Sequence, residues 1–296
     1  MTNLEVIWKL APGVQVGQAL NFATNRFNEE AIDTASLDAQ VLLAHLLGKE
    51  RTWLFAHHEY CLSPEESEAY TKLITRRMNH EPIAYLIGRK EFYGLDFVID
   101  KRVLIPRPET ELLVDLVLDE IGINKRKPVY VADVGTGSGA IALSLAANSE
   151  EVRVFAIDLS EDALDIADSN VQRLDTRKQV TLLCGDLLTP LSQPVDIIVA
   201  NLPYIASDIY STLEPDVRDY EPRLALVSGP QGLDAIQRLM QQAEHYLVAN
   251  GQIFLEIAHD QGKMVEQLAR QYFPKARSIR VHKDYNDHDR IVRIVM

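Results

Sequence analysis

The sequence predicts an α/β protein: a parallel sheet covered by helices on both faces, preceded by a small helical domain and a β-hairpin linker. Three observations predict it. From about residue 129 onward, short apolar β-branched runs alternate with helix-length amphipathic stretches, as they do when helical crossovers join parallel strands. Before residue 82 no stretch alternates with period two over a useful length, and apolar residues recur at helical spacing instead. The chain has 296 residues, 47% hydrophobic and 25% charged. That is the length of about two ordinary domains and the balance of a folded globular protein, not of a disordered one.

The elements follow in order. Leu37, Val41 and Ala44, flanked by Leu42 and Leu46, share helical spacing, and Gly48 is a natural stop. Ser63-Pro64-Glu65-Glu66 reads as a helix start: Ser63 caps, Pro64 suits the first turn, and Glu66 closes a capping box. That helix should run to about Asn79. Glu91 to Ile99 is aromatic and β-branched around Gly94, the pattern of a hairpin. After Ile105-Pro106-Arg107-Pro108, a helix should bury Leu112, Leu113, Leu116 and Val117 and stop near Gly122. Strands are expected at 129–134, 152–158, 179–184, 195–200, 252–258, 278–282 and 290–295. Helices are expected at 139–148, 160–173, 231–249 and 260–272. The domains are then 1–82, helical; 83–105, the hairpin linker; and 106–296, the α/β domain.

Composition excludes several classes. The net charge of −13 disfavours a long track along DNA or RNA, since phosphate contacts need a basic surface. Two cysteines, Cys61 and Cys184, cannot make a disulfide framework, so a reduced, cytoplasmic location is expected. Met1 to Leu20 carries no secretory signal pattern, and runs such as Val195 to Ala200 are too short to span a bilayer. The eight histidines show no metal-binding spacing, so no metal is expected.

Four segments carry chemistry. In Asp133-Val134-Gly135-Thr136-Gly137-Ser138-Gly139 a strand runs through a glycine-rich turn into a helix. Ligands of open α/β sheets sit beyond the carboxyl ends of strands, and glycines let them approach the backbone. The spacing is tighter than the dinucleotide pattern, and a plain strand–helix turn is the alternative. Asp133 is placed to hold the amino-acid part of a ligand, directly or through water. Asp158 ends the next strand, about twenty residues past the glycines, where a carboxylate accepts both hydroxyls of a ribose. Its alternative is to cap the following helix, a task for which Ser160 is also suited. Asp186 could accept from an adenine amino group and Leu187 could pack on the ring, although Gly185-Asp186 is also a common turn. Finally, an apolar strand ends in Asn201-Leu202-Pro203-Tyr204. Pro203 holds Leu202 extended, which turns its carbonyl outward beside the Asn201 side-chain carbonyl. Two such acceptors match the two hydrogens of a planar NH2 group, and Tyr204 offers a flat face. An ordinary proline turn is the alternative.

Together these segments resemble the seven-stranded, Rossmann-like S-adenosylmethionine-dependent methyltransferases. Asn201-Leu202-Pro203-Tyr204 resembles the Asn-Pro-Pro-Tyr signature of enzymes that methylate planar amino groups, with Leu202 replacing the usual Pro. Glu81 to Gly88, Glu91 to Leu95 and Val103 to Glu111 resemble the release factor glutamine N5-methyltransferases, the PrmC/HemK family. So do Glu221 to Leu226, Gly232-Leu233, Leu255-Glu256-Ile257 and Asp289 to Val292. The likeness extends from Glu81 to the end of the chain.

The resemblance implies a cofactor, S-adenosyl-L-methionine, which leaves as S-adenosyl-L-homocysteine. Asp133, Gly135, Thr136, Gly137, Ser138, Gly139, Asp158, Asp186, Leu187 and Asn201 would hold it. Asn201, Leu202, Pro203 and Tyr204 would act on the substrate. That substrate would be the glutamine of the Gly-Gly-Gln loop in class I peptide chain release factors, with the helical domain helping to dock the protein. Other readings are a glutamine methyltransferase of a ribosomal protein, a DNA adenine methyltransferase and a non-catalytic S-adenosylmethionine-binding adaptor. The charge and the lack of a target-recognition domain count against DNA. An intact Asn201 and Tyr204 count against the adaptor.

Overall fold

The computed structural model describes residues 9–296. The first eight residues of the expected helical domain, and with them the start of the stretch expected to carry no secretory signal, lie outside them. In chain order the elements are α1 (Val16–Glu29), α2 (Ala35–Leu47), α3 (Arg51–Ala56), α4 (Pro64–Met78), α5 (Ile83–Ile87), β1 (Arg89–Phe92) and β2 (Leu95–Val98). There follow α6 (Glu111–Ile123), β3 (Val129–Val134), α7 (Ala140–Asn148), β4 (Val152–Asp158), α8 (Glu161–Arg173), β5 (Val180–Cys184) and β6 (Val195–Ala200). The chain ends with α9 (Pro215–Arg218), α10 (Asp234–Tyr246), β7 (Leu247–Glu256), α11 (Gly262–Tyr272), β8 (Ser278–Lys283) and β9 (Asp289–Val295). They form two compact units. One runs to Gly88 and also takes Pro215–Tyr220; the other holds Arg89–Glu214 and Glu221–Met296.

In the helical unit, α4 starts on the expected capping box. Ser63 Oγ accepts from the Glu66 N–H at 3.1 Å, and Glu66 Oε2 accepts from the Ser63 N–H at 2.7 Å. Helix α2 ends on Gly48 at φ +62°, a conformation that favours glycine. Phe27, Leu42, Leu43, Tyr70 and Ile74 form the core, and the Tyr70 hydroxyl donates to the Ala39 carbonyl at 2.8 Å. One cation is buried beside this core. Arg77 lies 2.8 Å from Asp38 Oδ2 and 2.9 Å from Asp216 Oδ2, so it ties α4 to α2 and to the 215–220 segment.

In the second unit the seven strands run in the order β5-β4-β3-β6-β7-β9-β8. Pairings from β5 through β7 are parallel, and β9 lies antiparallel to both β7 and β8. The chain enters at β3, works outward to β5, then crosses back to β6. The order therefore reverses between β3 and β6, where open α/β sheets form a crevice at their carboxyl edge. The strands of this region are buried on both faces, β6 at every residue, which explains their unbroken apolar runs.

Helix α6 buries Leu113, Val114, Val117 and Ile121, while Leu112 and Leu116 are only partly buried, and two larger features depart from expectation. The span 83–105 is not a separate linker. Its first part is α5 of the helical unit, and its hairpin belongs to the α/β unit. There Phe92 and Phe97 are buried, and the Asn170 side chain exchanges two hydrogen bonds with the Val98 backbone, at 2.7 and 2.9 Å. An amide on α8 thus completes the edge of β2. The other departure is β7, which starts at Leu247, so that α10 stops at Tyr246 and not at 249. Leu247 pairs with Val195, and the register then shifts before Ile197 meets Gln252. Asn250 at φ +65° turns the backbone within that bulge.

Replacing Arg77 by Met should destabilise the helical unit by about 3–5 kcal/mol, because Asp38 would stay buried without its cation. Urea unfolding followed by tryptophan fluorescence reads this unit, since Trp53 on α3 is the only tryptophan among the described residues. A loss under about 1 kcal/mol would give the pair the weight of a surface ion pair.

Candidate active site

The turn after β3 is stitched to the end of β4. The N–H groups of Gly135 and Thr136 both donate to the Ile157 carbonyl at 2.9 Å, and Gly137 N–H donates to Asp158 Oδ2 at 2.8 Å. Gly135 and Gly137 take φ values of +77° and +55°, which favour glycine. A Cβ on Gly135 would stand 3.1 Å from Leu202 Cδ2, whereas one on Gly137 would meet nothing within 4 Å. The first glycine lets Leu202 pack on the turn; the second leaves open space.

Behind the turn stands Asp133, fully buried. Its Oδ2 accepts from the Thr136 hydroxyl at 2.6 Å and from the Ala142 N–H at 3.1 Å, while Oδ1 has no partner. Burial pushes its pKa up to about 7 against these two bonds. Asp133 therefore braces the turn and the start of α7.

In front of the turn is a cavity that encloses about 950 Å³ of empty space, counting its open mouth. Its wall takes Gly135 and Gly137 from the turn, Asp158 from β4, Asp186 and Leu187 from beyond β5, and Asn201, Leu202 and Pro203 from beyond β6. All four segments singled out in the sequence meet here. Asp133, Thr136, Ser138, Gly139 and Tyr204, also expected at the site, are not on its wall. Arg238 on α10 is on the wall and had no sequence signal beyond an ordinary amphipathic helix. It pairs with Asp186 at 2.5 Å.

Asp158 serves the fold as well as the wall. Its Oδ1 accepts from the Ser160 N–H at 2.9 Å, while the Ser160 hydroxyl caps α8 through the Ala163 N–H at 3.2 Å. Burial raises the Asp158 pKa, and the backbone N–H groups of Ser160, Gly137 and Leu159 pull against that rise. Each carboxylate oxygen still has lone pairs to offer.

Asn201 has one end engaged. Its Nδ2 donates to the Thr110 hydroxyl oxygen at 3.2 Å. No donor among the described residues takes Asn201 Oδ1 or the Leu202 carbonyl. The Leu202 side chain is buried in the core cluster. Tyr204 is mostly buried, and burial pushes its hydroxyl up to about 12. Its carbonyl accepts from Gln261 Nε2 at 3.0 Å. Gly232, at φ +71°, passes so close that a Cβ would stand 2.0 Å from that oxygen. Sequence reasoning gave no role to Thr110, Gln261 or Glu256. Glu256 is buried at the end of β7, and burial pushes its pKa up to about 7. The available signal was an acid closing an apolar strand. Glu221, also buried, accepts from the Ile105 N–H at 3.2 Å and pairs with Arg107, which anchors the stretch leading to Thr110.

These residues fit S-adenosylmethionine. The open space at Gly137, an acid at the β4 end and an apolar residue beside an acid after β5 offer room, a hydroxyl acceptor and a ring contact.

Residues 18–88 match the family described as PrmC N-terminal domain. Residues 131–215 match the family described as methyltransferase domain. A release factor glutamine methyltransferase of Moorella thermoacetica is 42% identical over 274 residues, which cover 92% of this chain and 95% of that protein. One from Rhodopirellula baltica is 38% identical over 281 residues, 94% and 95% of the two chains. A methyltransferase of Pyrococcus furiosus with a solved structure shares the fold. Its TM-score is 0.50 at 18% identity, over 75% of this chain and 96% of that one.

The buried acid of the turn makes stability pH-dependent. Asp133 has a folded pKa of about 7, above its unfolded value. The folded state therefore holds a proton that the unfolded chain has released, and stability falls as pH rises from about 4 to about 7. Thermal melts without cofactor should show that fall, and Asp133→Asn should make it shallower, leaving the part that the buried Glu256 contributes. An unchanged slope in the variant would mean that Asp133 ionises as it does in water.

Proposed function

The chain belongs to the family of release factor glutamine methyltransferases, and we propose that Asn201 and Leu202 clamp the substrate amide while the adjoining cavity holds S-adenosylmethionine. The protein is an enzyme that transfers a methyl group to a glutamine side-chain nitrogen of a release factor. The finer reading is the Gly-Gly-Gln glutamine of class I release factors, with the helical unit docking the protein. No helix among the described residues is long and apolar enough to cross a membrane. The two free, exposed thiols fit a reduced cytoplasm.

One observation carries the clamp. The NH2 end of Asn201 is tied to Thr110, so the end left for a ligand is the carbonyl oxygen. Beside it in the chain stands the Leu202 carbonyl, which no donor among the described residues takes. An amide nitrogen is a poor nucleophile, because its lone pair is delocalised into the carbonyl. When bound, S-adenosylmethionine supplies an electrophilic methyl group on a sulfonium. The work of the chain is to aim the nitrogen at it and to stabilise positive charge growing on that nitrogen. Two fixed acceptors do both, and orientation of this kind removes about 7–11 kcal/mol from a barrier in the best cases. Burying Leu202 against Gly135 fixes its backbone relative to the cofactor turn. Gln261 and Gly232 hold the Tyr204 carbonyl in the same way.

Two variants separate the roles. Asp158→Ala should weaken cofactor binding by about 1.5–3 kcal/mol, through lost ribose hydrogen bonds and a loosened Gly137. Calorimetry checks this, and an unchanged affinity would remove Asp158 from the cofactor site. Asn201→Ala should leave cofactor affinity within a few-fold and slow single-turnover methyl transfer on the order of 10²–10³. Transfer at the wild-type rate would rule out the clamp.

A further inference from the structure

Glu256 is the last residue of β7, and the pairing of Ala200 with Leu255 sets it beside Asn201 at the edge of the sheet. It is 1% exposed, and its Oε2 has no hydrogen-bond partner. A buried carboxyl with an unmet oxygen costs stability, yet it stands next to the amide that receives the substrate. The groups that face it come from every neighbouring element. They are the Thr110 hydroxyl and Glu109 from the turn before α6, the Asn201 amide and Tyr204 from beyond β6, and Arg290 from β9. Arg290 is engaged with Asp284, at 3.0 and 3.1 Å. The Thr110 hydroxyl accepts from Asn201 Nδ2 and keeps its own hydrogen to donate; Glu256 is the carboxyl facing it.

We propose that Glu256 is a positioning residue for methyl transfer: with Thr110 it holds the NH2 end of Asn201 inward, and in its ionised form it polarises that amide so that Oδ1 becomes a stronger acceptor. The proposal rests on the substrate clamp described above. An ionised carboxylate draws hydrogen bonds from donors more strongly than a neutral acid does. The amide then carries more negative charge on the oxygen that meets the growing positive charge on nitrogen. Burial sets the Glu256 pKa at about 7, with Thr110, Arg290 and Asn201 pulling it down and Glu109 pushing it up. The ionised fraction changes across neutral pH, and methyl transfer rises with it.

The test is single-turnover transfer to a purified release factor, with saturating cofactor, from about pH 5.5 to 8.5. The wild-type rate should rise through about pH 7. Glu256→Gln should be slower on the order of tenfold at the alkaline end and flat with pH, with cofactor affinity by calorimetry within a few-fold. A Glu256→Gln variant with the wild-type rate and the wild-type rise overturns the proposal. A second pair is independent of whether that variant folds. Thr110→Val should lose on the order of tenfold, and Thr110→Ser should recover most of it. Equal rates for Thr110→Val and wild type would also overturn it. A wild-type enzyme that bound cofactor but methylated no release factor at any pH would overturn the substrate assignment first, and this proposal with it.

Discussion

Three backbone N–H groups of the turn after β3 donate to the end of β4, and the site depends on them. Gly135 and Thr136 bond to Ile157, and Gly137 bonds to Asp158. These bonds hold one glycine turn against two strand ends. They also engage the acid that the cavity presents. Only a backbone at positive φ bends tightly enough to make all three, which is why glycines stand at 135 and 137. Leu202 then packs on Gly135, so the placement of the substrate stretch is inherited from the cofactor turn.

The carboxyl edge of the sheet concentrates acids where the interior is driest. Asp133 is the penultimate residue of β3, and Glu256 is the last of β7; both are buried with one oxygen unpartnered. Burial raises both pKa values toward neutrality. The same desolvation strengthens any hydrogen bond these groups make. Asp133 spends that strength on Thr136 and the start of α7. Glu256 stands where the amide of Asn201 can use it. Stability is given up at the sheet edge in exchange for fixed polar geometry.

The helical unit solves a different problem. Its apolar core is small, and its second fastening is a buried cation, Arg77, between Asp38 and Asp216. Tyr220 adds a hydrogen bond to the Asn79 carbonyl at 2.7 Å. A six-residue stretch, Pro215–Tyr220, distant in sequence from the helices, is thus a working part of this unit. Ion pairs suit that task, because their geometry specifies register more sharply than an apolar contact does.

The sequence by itself determined the class of fold, the strands, the longer helices from α2 onward, and the four segments that meet at the cavity. Each of these is a local property. Period, capping residues such as Ser63, and glycines that need positive φ act within a few residues of where they stand. The chain's membership of its family was legible for the same reason, as short strings in order. Tertiary structure alone decided the rest. It gave the hairpin to the α/β unit, because Asn170 lies 72 positions from Val98 and only folding brings them together. It made Asp133 a brace and left Asp158 to serve both fold and wall. It set Glu256 and Thr110 around Asn201, which the parallel pairing of β7 with β6 across a long crossover and a returning turn bring about. Contacts of such long sequence separation leave no period or spacing to read, since the residues that make them are neighbours only through the sheet.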